Sequence, residues 1–173
     1  SMGLLIWWKT GVVHPRLFLG STTASAIKAK ATFFDSAARR AIDVCARATS
    51  EPETLKKSGY QGDTWAFTAS ACALAWQITG AKGHAATGVK LWRALLEDLQ
   101  TLGDGRACAV GASDAANIAA IKRDSGYAIR FIGPHTALAY DWLHDAPGVD
   151  EALRAQSRKC FKAWLEWYVK SGY

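Results

Sequence analysis

The residue types able to do chemistry crowd into one stretch, Tyr127–Asp145, which reads YAIRFIGPHTALAYDWLHD. It holds an arginine (Arg130), two histidines (His135, His144), two tyrosines (Tyr127, Tyr140) and two carboxylates (Asp141, Asp145). Asp141 and His144 stand at i,i+3 and could share a metal, but a third ligand is missing, and His135 and His144 fall on opposite sides of a helix. A histidine in a last helical turn is also what the helix dipole favours. No metal and no cofactor are expected. Gly103-Asp104-Gly105 lacks the third glycine and the preceding strand of a phosphate loop. Asp124-Ser125-Gly126 has Arg123 and Tyr127 where a protease nucleophile turn has glycines, and no nucleophile elbow occurs.

The element carrying this stretch has two readings. A helix from Pro134 would have Gly133 at its N-cap and the proline at the first position, where a missing N–H costs nothing. A helix already running from Tyr127 would be interrupted by Pro134 and would bring Arg130 and Asp141 to nearly the same side. Both hold polar groups beside Ala137, Leu138, Trp142 and the ring of Tyr140 on a rigid element, which is how a site is built. A core helix with a satisfied tyrosine and a snorkelling arginine carries the same pattern.

The rest of the chain reads as amphipathic helices. Ser21-Thr22-Thr23 opens a long helical pattern, with Ile27, Phe34, Ala38, Ile42 and Cys45 at helical spacing, that closes at Glu51-Pro52. Asp63 is expected to cap a helix over Thr64–Thr79 that Gly80 stops. Further helices are expected over His84–Leu102 and Val149–Lys170, and a short one from Ser113 through Ile121 inside the irregular stretch Gly103–Ser125. Before them, Gly3–Leu19 is irregular or extended, since His14-Pro15-Arg16 breaks any helix. Ser1-Met2 reads as a scar of tag removal. The division is therefore a strap over residues 3–22 and a helical domain over residues 23–173. The fold class is all-α, in consecutive antiparallel helix pairs.

Half of the 173 residues are apolar and 21% are charged, a globular composition. The net charge of +6 favours acidic partners, but the cations come in scattered pairs such as Arg39-Arg40 and Lys122-Arg123. No nucleic-acid signature accompanies them. Leu4–Trp8 is too short to span a membrane. Cys45, Cys72, Cys108 and Cys160 are widely spaced, and Cys45 and Cys72 read as small hydrophobes on apolar helix faces. Of the eight tryptophans, Trp65, Trp76, Trp92 and Trp142 read as core, while Trp7, Trp8 and Trp167 near segment ends are placed to be partly open. Open aromatic faces suit sugars, whose C–H faces pack on rings.

His14-Pro15-Arg16-Leu17-Phe18-Leu19 followed by an Ala/Arg helix, then Tyr127, Arg130, Gly133-Pro134 and Ala137-Leu138-Ala139-Tyr140-Asp141-Trp142-Leu143, resembles the N-terminal part of the helical toroid domain of heparinase II/III-like and alginate-lyase-like polysaccharide lyases. The resemblance implies a partial (α/α) toroid, an acidic polysaccharide or oligosaccharide as partner, and β-elimination at a uronic acid as the chemistry. It places Arg130 on a carboxylate or hydroxyl, with Tyr127, His135 and Trp167 as further substrate-binding residues, and leaves Tyr140 and Asp141 to hold helix packing. The family's Asn-His pair has no counterpart, Asn117 being the only asparagine, so no turnover is expected of this stretch alone. A non-catalytic sugar-binding or interaction module and a glycoside hydrolase on the same architecture are the alternatives. Self-association through uncovered helix faces and a periplasmic or secreted location are further expectations from the lyase resemblance.

Overall fold

The computed structural model describes residues 14–15, 17–55, 59–99 and 125–171, and every regular element among them is helical. In chain order these are α1 (Ser21–Lys30), α2 (Ala37–Ser50), α3 (Asp63–Thr79), α4 (Lys82–Leu99), α5 (Ser125–Trp142) and α6 (Glu151–Ser171). Short 3-10 turns at Pro52–Leu55 and Tyr60–Gly62 join α2 to α3. The all-α expectation holds.

Two boundaries differ from the sequence reading, and one open choice between two readings is resolved. The long helix expected from Ser21 to Ser50 is two helices, broken at residues 31–36. Ser36 caps the second by accepting a hydrogen bond from the Arg39 amide at 3.0 Å, and Phe34, expected on the apolar side, is 89% exposed. Asp63 is the first helical residue of α3 rather than its cap, which is Gly62 in the left-handed region. Of the two readings of the polar stretch, the helix runs through Pro134 from Ser125. The proposed helix from Ser113 and the strap residues Leu4–Trp8 lie outside the described residues.

The core is built around α3. It packs most extensively on α4, α5 and α2, and α4 also lies against α5. Gly80, left-handed at φ 67°, ends α3 as expected and lets α4 return beside it after two residues. Small residues allow the close approach: Ala66, Ala69, Ala73 and Ala75 of α3 are fully buried. A Cβ at Gly88 of α4 would sit 3.0 Å from Leu143 Cδ1 and 3.3 Å from the Cys72 Cβ. Trp92, Leu95, Leu96, Ile132, Leu143 and Leu153 fill the remaining volume. Trp142 and Trp92 are buried as expected, and Trp65 and Trp76 are half-buried against the same core.

One expectation is overturned. Cys45 and Cys72 are not free thiols: they form a disulfide between α2 and α3. Their placement on facing apolar helix surfaces brings the sulfurs together. Cys160 of α6 is fully buried.

Candidate functional site

The C-terminal half of α5 is where the strap is fastened. Asp141, 4% exposed, accepts two hydrogen bonds from residues more than 120 positions earlier. His14 Nδ1 donates to one carboxylate oxygen at 2.6 Å and the Leu17 amide to the other at 2.7 Å. The next residue, Trp142, donates its indole N–H to the Leu17 carbonyl at 2.8 Å. A buried carboxylate needs such partners, because desolvating an unpaired charge is costly. Leu17 has both backbone groups satisfied by α5, which pins the chain there without a helix or strand of its own.

Rings close around this latch. The imidazole of His144 stacks on that of His14, with centroids 3.8 Å apart and planes 13° from parallel. Tyr140 stands edge-on to His14, His144, Trp92 and Phe161 at centroid distances of 5.6 to 6.1 Å. The Tyr140 hydroxyl accepts from the Arg158 guanidinium of α6 at 3.4 Å. Arg158 also donates to Glu151, and Arg154 donates to Glu151 and to the His144 carbonyl. The hydrogen bond from Arg158, with a second from Arg154, holds the Glu151 carboxyl below the usual carboxylate range. The same pairing with Glu151, helped by Tyr140, raises Arg158 above its ordinary value.

Beside these rings lies a cleft of about 370 Å³, lined by His14, Leu17, Ala137, Tyr140, Asp141 and Phe161. An imidazole whose Nδ1 is held by a carboxylate can serve as a general base through Nε2. Against that use, the His14 side chain is 6% exposed and covered by the His144 ring. The Asp141–His14 pair is a fastening first: Asp141 ties the strap to α5. Tyr140 and Phe161 are the two phenyl-type rings of the lining, and the Tyr140 hydroxyl accepts from Arg158 of α6.

Of the four residues expected to contact substrate, His135 is the one whose side chain is described. It faces α3 rather than this cleft. Ser70 spends its only proton on the Ala66 carbonyl, so His135 Nδ1 donates to the Ser70 oxygen in a short hydrogen bond. The Phe67 ring stands edge-on to the imidazole at 4.8 Å. Burial lowers the His135 pKa from its ordinary value. Tyr127 and Arg130 lie on α5 and Trp167 on α6, with side chains outside the described residues.

Sequence reading missed His14 and Arg158. His14 reads as part of a helix breaker and of the resemblance motif, with no partner named, and its partner is 127 residues away. Arg158 stands at i,i+7 from Glu151 on α6, the face-sharing spacing that could have drawn attention to it. No group of three or more histidine, cysteine, aspartate or glutamate side chains among the described residues is arranged to hold a metal ion. No helix among them is long and apolar enough to cross a membrane. Compared with protein-family models, curated proteins and solved structures, the chain finds no match in any of the three.

Proposed function

We propose that this chain is a carbohydrate-facing segment of an (α/α)-toroid protein of the polysaccharide-lyase kind, and that the cleft between the strap, α5 and α6 takes a unit of an acidic glycan. The observation that carries the reading is the pairing of an aromatic wall with a cation: Tyr140 and Phe161 line the cleft, and Arg158 donates to the Tyr140 hydroxyl. A sugar packs its C–H face on such rings while its carboxylate seeks a guanidinium, which binds carboxylates in a two-pronged geometry. The volume, about 370 Å³, falls in the ~300–1,000 Å³ range of small-ligand sites. Glu151 competes for the same guanidinium, so uronate binding is opposed by an internal carboxylate.

The test is calorimetric titration with a mannuronate tetrasaccharide and with its carboxyl-reduced, uncharged counterpart. Arg158→Ala is expected to weaken mannuronate binding roughly tenfold or more, the loss of a charge-assisted hydrogen bond of ~1.5–3 kcal/mol. Glu151→Gln is expected to strengthen it by freeing the guanidinium. Binding indifferent to both substitutions would remove the assignment. For the lyase class, the full gene product should generate the ultraviolet absorbance of an unsaturated uronide from alginate. Reducing ends without that absorbance would point to a hydrolase instead.

A further inference from the structure

The turn after α5 separates two clefts. His144 belongs to the ring cluster beside the first, whereas the adjacent Asp145 lines a second of about 440 Å³. Its other walls are Lys28 of α1 and the C-terminal end of α3, including Trp76, Gln77 and Thr79. We propose that this second cleft is a subsite for an uncharged, hydroxyl-bearing sugar unit. The proposal shares with the reading above only the class of ligand, a glycan, and not the cleft.

The chemistry of the lining carries it. Trp76 is half-buried, so its ring is fixed against the core while part of it stays open, and its indole N–H has no acceptor among the described residues. Such a ring is a platform for a sugar C–H face with a donor at its edge. The Gln77 amide nitrogen donates to the Trp142 carbonyl, which orients the amide and leaves its oxygen as an acceptor. Asp145 accepts from His144 with one oxygen at 2.7 Å and is 72% exposed, so the carboxylate can take further hydrogen bonds. Lys28 supplies a cation that makes no ion pair with Asp145 across the cleft.

Acceptors dominate this lining, and the partial negative charge of the α3 C-terminus adds to them. Sugar hydroxyls donate to such groups. A uronate carboxylate would meet Asp145 and the helix end as like charges, and one exposed lysine offsets this poorly. The first cleft, whose Tyr140 hydroxyl accepts from Arg158, is the one proposed for the opposite ligand charge.

The experiment follows the tryptophan indole signals of the full chain by nuclear magnetic resonance, with Trp76→Phe identifying the Trp76 resonance. Mannotetraose, a neutral probe, should move that resonance, and Asp145→Asn should weaken the effect roughly fivefold or more, as expected for a hydrogen bond of ~1 kcal/mol or above. Asp145 is exposed, so the substitution leaves the fold intact. Arg158→Ala should leave mannotetraose binding unchanged. If mannotetraose leaves Trp76 unmoved while mannuronate still binds in an Arg158-dependent way, the second cleft is not a sugar subsite and the first reading stands. If mannuronate moves the Trp76 resonance and mannotetraose does not, the uncharged assignment is wrong. Silence with both probes overturns both.

Discussion

Helix α3 is joined to its neighbours in two different ways. Towards α2 the join is covalent and apolar: Cys72 meets Cys45, and both are fully buried. Towards α5 the apolar packing carries polar contacts as well: Ser70 meets His135, and Gln77 donates to the Trp142 carbonyl. The strap is held to α5 in the polar manner too, through Asp141 and Trp142. The polar side is the side with the clefts. A covalent tie fixes two helices whatever the pH or ligand, whereas hydrogen bonds fix direction and can be exchanged for a ligand's groups. The molecule is stapled where it only needs to stay together and hydrogen-bonded where it presents a surface.

The largest effect should come from breaking the polar side at its centre. Asp141→Ala strands two buried donors, the His14 imidazole N–H and the Leu17 amide, and at ~1–3 kcal/mol for each unsatisfied group the cost is about 4 kcal/mol. A fall in Tm of roughly 12 °C is expected for a chain of this length. A double-mutant cycle with His14→Ala measures how much of that belongs to the pair. Strictly additive losses would show that the strap is held by something other than this latch.

Breaking the covalent side should cost slightly less and in a different way. The Cys45–Cys72 bridge closes a sequence separation of 27, for which loop-closure entropy predicts about 3.5 kcal/mol. Cys45→Ala with Cys72→Ala should lower the urea midpoint accordingly, yet leave the proposed sugar binding at either cleft unchanged because neither residue lines one. Loss of binding in that variant would mean that the staple also shapes the surface.

How legible these joins were follows from their physics. Hydrophobic period gave α3, α4 and α6 to within a few residues, because burial on one face repeats locally. It failed between α1 and α2, where Phe34 continues the spacing without being buried and the cap at Ser36 marks the true start. The resemblance leaves Asp141 to hold helix packing, whereas it holds the strap. Its partner could not be found, since a contact between residues 14 and 141 leaves no local pattern. The disulfide was hidden for the same reason: two cysteines on two apolar helix faces look identical whether they touch or not. Periodicity places His135 on a helix but cannot say that its neighbour is Ser70.

The smallest expected effect discriminates between the two kinds of join most cleanly. Ser70→Ala should cost about 1 kcal/mol, because it leaves a half-buried imidazole N–H without its acceptor. The pH dependence carries more information. Burial lowers the His135 pKa, so the folded chain disfavours the imidazolium, while the unfolded chain takes up its proton near pH 6.5. The unfolded state then binds more protons, and stability rises with pH through this window. The contribution is complete above about pH 6.5 and is lost as pH falls below it towards the lowered folded value. His135→Gln keeps a hydrogen-bonding side chain at this place but cannot titrate, so its urea midpoint should fall less than that of the wild type between pH 7.5 and pH 5.5. The variant with Cys45→Ala and Cys72→Ala, altered only on the covalent side, should keep the full wild-type slope. Equal slopes for the wild type and His135→Gln would mean that the α3–α5 join does not sense protons, and that its polar character serves direction alone.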